Sequence, residues 1–113
     1  MSNQSESHHL TCSICSQLSD KEYAIEHVHP SEEDCNLPKA ASQLKTVRQI
    51  RSNLRLLQCP ECQTYYLFQS IYEFLIGFGG SYDEYYLWRL PDEVGAEYLT
   101  GRRTKPMRGM GYA

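Results

Sequence analysis

Four cysteines of this 113-residue chain form two CxxC pairs, Cys12 with Cys15 and Cys59 with Cys62. A CxxC segment, called a knuckle below, places two sulfurs on one tight turn, so both thiolates can face the same ion. Pro60 favours such a turn in the second knuckle because its ring presets φ. Two knuckles supply the four ligands of a tetrahedral zinc site, which leaves no open coordination position. The spacing therefore predicts one structural zinc ion.

Other interpretations of the cysteines remain open. Four reduced, buried cysteines without a metal would pack as small hydrophobic residues. A redox dithiol is a further alternative, although no thioredoxin-like pattern surrounds either pair. The fifth cysteine, Cys35, is interpreted as a free thiol, with replacement of a knuckle cysteine as the alternative. Paired CxxC spacing without an export signal favours metal binding over disulfides and predicts a cytoplasmic protein.

Charge is distributed unevenly along the chain, whose net charge is −3. Residues 101–113 carry four basic groups and no acids, whereas residues 1–100 carry seven basic and fourteen acidic groups, a net charge of −7. An acidic body disfavours nucleic acid as a partner and favours a basic protein. The longest apolar stretch is interrupted by polar residues, so no membrane span is predicted. The oligomeric state is left open.

The segments between the knuckles predict a strand and a helix. Alternating side chains predict a strand at Glu22–His29, which ends at Pro30. Pro38 suits the first turn of a helix that would run from Lys39 to about Ser52. The apolar stripe expected to face the core along this central helix consists of Ala41, Leu44, Val47, Ile50 and Leu54.

The second half of the chain is rich in aromatic and β-branched residues. A short strand at Leu54–Leu57 leads into the second knuckle, and Tyr65–Ile76 favours a strand, with a buried helix as the alternative. Glycines at 77, 79 and 80 indicate a turn, after which Tyr82–Leu90 would pair back as an aromatic β-hairpin. Pro91 then begins a short helix that ends near Leu99. One face of the second hairpin strand would present Tyr82, Glu84, Tyr86 and Trp88.

These elements predict a small α+β, zinc-stabilised domain with one central helix and the aromatic hairpin. Residues 1–9 are polar and predicted to be disordered. Residues 10–100 would form a single zinc-binding domain, and residues 101–113 a basic, flexible tail.

The two knuckles resemble those of zinc ribbons and, more broadly, of treble-clef zinc proteins. This resemblance implies a zinc-ribbon-like or treble-clef-like core. Ribbon knuckles often carry glycine directly after the second cysteine, where a positive φ is wanted. In this chain those two positions hold Ser16 and Gln63.

Residues 12–63 are also similar to the layout of HNH nucleases. The matching segments are Cys-Ser-Ile-Cys at 12–15, Glu-His-Val-His-Pro at 26–30 and Asn-Leu-Arg-Leu-Leu-Gln-Cys-Pro-Glu-Cys at 53–62. The resemblance implies that His27 is the general base that activates water, with Glu26 as a metal ligand and Asn53 as the structural asparagine. Gln63 stands where the family commonly has its last histidine, so His29 would have to supply that imidazole.

The leading functional prediction is a non-enzymatic protein-binding module, because tyrosine and tryptophan bury large areas at low entropic cost. The expected anchors are the four hairpin residues Tyr82, Glu84, Tyr86 and Trp88. In general character the chain is similar to bacterial immunity proteins, which implies an inhibitor of a basic toxin or enzyme. The alternatives are an HNH-like metal-dependent nuclease and a nucleic-acid-binding zinc ribbon that uses the basic tail.

Overall fold

A computed structural model of the chain describes residues 9–27, 36–75 and 80–110. Over these ranges the chain forms a small α+β domain, which confirms the predicted class. The strands are β1 (Lys21–His27), β2 (Lys45–Arg51), β3 (Leu54–Gln58), β4 (Tyr65–Leu75) and β5 (Gly80–Leu90), and helix α1 spans Asp92–Leu99. Short 3₁₀ helices span Cys15–Gln17 and Lys39–Gln43. Residues 1–8, predicted as disordered, and Cys35 lie outside the described ranges.

The five strands form one antiparallel sheet in the order β1-β5-β4-β3-β2. Successive side chains of a strand point to opposite faces, so the sheet carries two apolar layers. The knuckle face packs against the cysteines through Leu57, Tyr66 and Leu87. The helix face is built on Leu54, Leu56, Leu67 and Leu90, and it is covered by Tyr98 and Met110. The cysteine cluster and α1 therefore lie on opposite sides of one sheet.

The predicted aromatic hairpin is confirmed as strands β4 and β5, which pair from Tyr65 opposite Leu90 to Leu75 opposite Gly80. The predicted strand at Leu54–Leu57 corresponds to β3, and the helix after Pro91 corresponds to α1. Strand β1 matches the first predicted strand as far as His27, and the rest of that prediction falls on residues 28 and 29, outside the described ranges. The same holds for the turn glycines at 77 and 79. Within the described part of the chain, no helix is long and apolar enough to cross a membrane.

The predicted central helix from Lys39 to Ser52 is wrong. Only a 3₁₀ helix forms at its start, and Lys45–Arg51 is the edge strand β2. The pairing of β2 with β3 shifts register between Thr46 and Arg48 and again between Gln49 and Arg51. Val47 and Ile50 are thus the extra residues of two β-bulges, and their three-residue spacing imitates a helical stripe.

The segment 101–110, expected to be part of a flexible tail, packs against the helix face through Met107 and Met110. Met110 is completely buried, and the hydroxyl of Tyr98 donates to the carbonyl of Lys105. Gly101, two residues after the end of α1, has a φ of 85°, and Arg48 of β2 donates to the carbonyl of Tyr98 at 3.0 Å. The packed domain therefore extends at least to residue 110.

Candidate metal centre

The two knuckles bring their four cysteine sulfurs together, and all four Sγ atoms lie within 4.8 Å of one another. The Sγ atoms of Cys12 and Cys59 are 3.6 Å apart, and those of Cys15 and Cys62 are 3.5 Å apart. A disulfide would bring two sulfurs to about 2 Å. A tetrahedron with metal–sulfur distances of about 2.3 Å has edges of about 3.8 Å. The observed distances therefore suit four separate thiolates that could hold one metal ion.

The second knuckle closes through backbone hydrogen bonds despite the absence of glycine. The N–H of Gln63 donates to the carbonyl of Cys59 at 3.0 Å, and the N–H of Glu61 approaches the sulfur of Cys59 at 3.4 Å. Gln63 adopts a φ of 70°, and within the described ranges no other non-glycine residue has a positive φ. The left-handed position common in ribbon knuckles is thus formed here by glutamine.

The first knuckle closes in a different way. The N–H of Ser16 donates to the carbonyl of Cys12 at 3.0 Å, and the N–H of Cys15 approaches the sulfur of Cys12 at 3.4 Å. The chain then continues into the 3₁₀ helix Cys15–Gln17, so Ser16 needs no left-handed conformation. The missing glycine has no consequence at this position.

Ser13 and Glu61 join the two knuckles directly. The carboxylate of Glu61 accepts hydrogen bonds from the backbone N–H of Ser13, at 3.1 Å, and from its hydroxyl. The hydroxyl bond and then the N–H bond favour the charged carboxylate and lower the pKa of Glu61. The link uses the interior residues of the CxxC segments, so it holds the knuckles together without using a metal ligand.

Arg89 of β5 anchors the first knuckle on the sheet. Its side chain is only 9% exposed, and it pairs with Asp20. The guanidinium donates to the carbonyls of Cys15 and Leu18, at 3.1 and 2.6 Å, and to the hydroxyl of Tyr66 at 3.1 Å. Sequence reasoning missed Arg89, because it lies 74 positions from Cys15 and no local pattern connects them. The arrangement places a fixed positive charge beside the cysteine cluster.

Burial affects the ionisation of the knuckle thiols. Loss of hydration raises the pKa of Cys15 and of Cys12. At Cys62 burial also acts to raise the pKa, but hydrogen bonds from Thr64, Cys15 and Cys12 together outweigh it, and the net shift is downward. Thr64 Oγ1 lies 3.1 Å from the Cys62 sulfur. Several buried thiolates repel one another, so a cation among the four sulfurs is the natural way to ionise them all.

The residues expected from the HNH resemblance are spread across the sheet. Glu26 lies on β1, where its carboxylate accepts the hydroxyl of Tyr85 at 3.1 Å. Asn53 follows β2 and donates to the carbonyl of Ser70 at 2.9 Å, which holds the β2–β3 turn to β4. Strands β1 and β3 are three strand spacings apart, about 14 Å. His27 ends β1, and its side chain lies outside the described part. Glu26 and Asn53 therefore do not share one site.

Trp88 takes part in the packing of the domain. It lies against the helix-face cluster, and a Cβ on Gly109 would approach its ring to 3.3 Å. The ammonium of Lys21 lies 4.4 Å from the ring centroid, a cation–π distance. These contacts make Trp88 part of the packing of the helix face.

The remaining three predicted anchors lie towards the other end of β5. The ring of Tyr86 meets that of Tyr23 edge-on, with centroids 5.2 Å apart, and Glu84 accepts the Tyr23 hydroxyl at 2.6 Å. We call this region the acidic-aromatic end. It comprises Tyr23, Glu26, Tyr82, Asp83, Glu84, Tyr85 and Tyr86. Arg89 of β5 contacts the first knuckle, and Tyr82 lies seven residues before it on the same strand. At about 3.3 Å per residue, this end lies about 23 Å along the strand from the cysteine cluster.

Comparison of the chain with protein-family models, with curated proteins and with solved structures found no match in any of the three.

Proposed function

We propose that the chain is a zinc-stabilised protein-binding module with no catalytic role. Four cysteine sulfurs within 4.8 Å of one another support a structural zinc ion, because soft thiolates suit zinc and four of them leave no position open for water or substrate. Zinc binding in comparable peptides contributes on the order of 10 kcal/mol to folding. The metal would hold the knuckles to the sheet, and the protein would bind its partner elsewhere.

The observation that carries the proposal is the acidic-aromatic end. Its seven residues include three carboxylates, Glu26, Asp83 and Glu84, and no lysine or arginine. Tyrosines provide rigid anchors that bury apolar area and still offer a hydroxyl. Carboxylates between them attract cations and repel anions, which favours a basic protein over nucleic acid.

The partner that fits this surface best is a basic toxin or enzyme, which the chain would inhibit by covering a positively charged region. The small size and acidic body of the chain support this class, as does the concentration of carboxylates at one end of the sheet. A complex of this kind would form quickly at low salt, because charge steering is screened over about 8–10 Å at physiological ionic strength.

The proposal is tested by capturing partners from host lysate and measuring the association rate of the captured protein. We expect a basic partner whose on-rate falls as salt rises. The Asp83→Asn/Glu84→Gln double variant should reduce that rate more than the matched double variant Asp92→Asn/Glu93→Gln, which removes the same charge from α1. Equal effects of the two double variants would count against the acidic-aromatic end as the binding surface.

A cleavage assay separates this proposal from a nuclease. Plasmid DNA and RNA should stay intact with magnesium, manganese or zinc added. Cleavage that depends on added metal and disappears in His27→Ala would identify His27 as a general base and overturn the non-enzymatic proposal.

A further inference from the structure

A groove of about 580 Å³ lies on the knuckle face, between the 3₁₀ helix Lys39–Gln43 and the sheet. Leu57, Phe68 and Leu87 contribute its apolar sheet side. The volume falls within the range of sites that bind small molecules, which are mostly apolar with a few polar groups that fix orientation. None of the seven residues of the acidic-aromatic end lines this groove, so its ligand need not be the protein partner.

Among the residues that the structure describes, the charged ones that line this groove are Lys39 and Arg55, both basic, although the body of the protein is acidic. The guanidinium of Arg55 lies 4.7 Å from the centroid of the Phe68 ring and makes a long hydrogen bond, 3.4 Å, to Thr46. Within the described ranges no carboxylate pairs with Arg55. Its planar fork is therefore free to bind a carboxylate through two parallel hydrogen bonds.

Charged residues of opposite sign line this groove and the cavity next to it. A neighbouring cavity of about 350 Å³ shares Leu37 and Phe68 with it and is also lined by Glu26. Tyr85 connects the two, because its ring stacks on Phe68 with centroids 5.9 Å apart and planes 18° apart. The carboxylate of Glu26 repels an anion at its end, whereas Arg55 attracts one at the other. Apolar and aromatic surface lies between them.

We propose that this groove binds a small organic carboxylate with a flat apolar body. The carboxylate lies on the guanidinium of Arg55, Lys39 adds positive charge at the rim, and the apolar body packs against Phe68 and Leu87. Binding forms no covalent bond and needs no metal. The ligand class follows from one pair of observations: the Arg55 guanidinium has no carboxylate partner among the described residues, and it lies against the Phe68 ring.

The test is an NMR titration of the zinc-loaded full chain with 4-phenylbutyrate, indole-3-acetate and octanoate, each compared with a neutral alcohol of the same carbon skeleton. We expect at least one acid to bind with a dissociation constant of about 1 mM or lower and to shift the amides of Arg55 and Phe68. The matching alcohol should bind about tenfold more weakly, the loss expected for one charged hydrogen-bonding pair.

Three variants make the test specific. Arg55→Gln should weaken acid binding about tenfold, whereas Arg51→Gln, an exposed arginine of β2 outside the groove, should leave it unchanged. Ser42→Trp should abolish binding by filling the groove, and a well-dispersed amide spectrum shows that each variant is folded. Equal affinity for acids and alcohols, equal effects of the two arginine variants, or no saturable binding of any of the three acids would overturn the proposal. Binding of an acidic peptide alone would overturn it too.

Discussion

Gly95 of α1 lies directly against the ring of Tyr65 on β4, so close that a Cβ on the glycine would be 2.2 Å from Cδ2 of the tyrosine. Atoms this close cannot coexist, so the helix reaches its position only because residue 95 has no side chain. Tyr65 is opposite Leu90, the last residue of β5, and α1 begins two residues later. The contact therefore fixes how the chain turns from the sheet onto the helix face.

Gly95→Ala should destabilise the domain by roughly 1–2 kcal/mol. Alanine normally stabilises a helix by about 1 kcal/mol over glycine, but here overpacking against Tyr65 should exceed that gain. Urea denaturation measures the difference. In a Tyr65→Ala background the same change should be neutral or stabilising, because the clash is gone. A penalty that persists in that background would show that the contact is not its cause.

Gln63→Gly should stabilise the domain by about 0.5–1 kcal/mol, because glycine adopts the left-handed conformation of residue 63 without steric cost. Ser16→Gly is the matched control after the first knuckle. Ser16 lies in a 3₁₀ helix, so glycine there should give no gain and should cost a few tenths of a kcal/mol or more. The melting temperatures of the two variants should move in opposite directions.

Glu61→Ala should speed the transfer of metal from the protein to a chelator, by up to about tenfold, because the two knuckles lose their direct link through Ser13. Glu22 accepts the same pair of bonds, from the N–H and hydroxyl of Ser19, and neither of these residues belongs to a knuckle. Glu22→Ala is therefore the control and should leave the transfer rate unchanged. Equal rates for the two variants would show that the link does not support the centre.

Arg89→Met should lower the free energy of unfolding by about 3 kcal/mol and weaken metal affinity about tenfold or more. The reason is that two carbonyls and the Tyr66 hydroxyl lose their hydrogen-bond donor. Arg89→Lys should restore little of the lost stability or metal affinity, because one ammonium group cannot reproduce the planar fork of donors of the guanidinium. Arg51→Met, at an exposed position, controls for the loss of charge. Denaturation and competition with a chelator report the two effects separately, and full rescue by lysine would contradict the role of the fork.

The cysteine cluster could be predicted because its signal is local. Two short CxxC segments each specify a turn, and no other described group of cysteines competes with them. The strands of the hairpin could also be predicted from the sequence, because β4 and β5 are long and rich in aromatic residues. Structure could be predicted from the sequence where it depends on the types and spacing of residues within about a dozen positions.

The predictions were wrong or incomplete where the local structure depends on contacts with residues far away in the sequence. The bulges at Val47 and Ile50 form because β2 pairs with β3. No pattern within residues 45–51 indicates that pairing, so the segment was predicted as a helix. The segment at 101–110 looked mobile because it is basic and contains glycine, yet Met110 inserts fully into the helix-face cluster. Arg89 likewise meets the first knuckle only after the sheet has formed. Such contacts depend on tertiary packing rather than on local propensity.

The metal content of the purified protein tests the central claim most directly. Elemental analysis of chain prepared without added metal should give one zinc per molecule. Cys59→Ser should reduce this towards zero, while Cys35→Ser, which changes the cysteine that belongs to neither CxxC pair, should keep full occupancy. No metal in the native chain, iron in place of zinc, or loss of zinc with Cys35→Ser but not with Cys59→Ser would contradict the assignment.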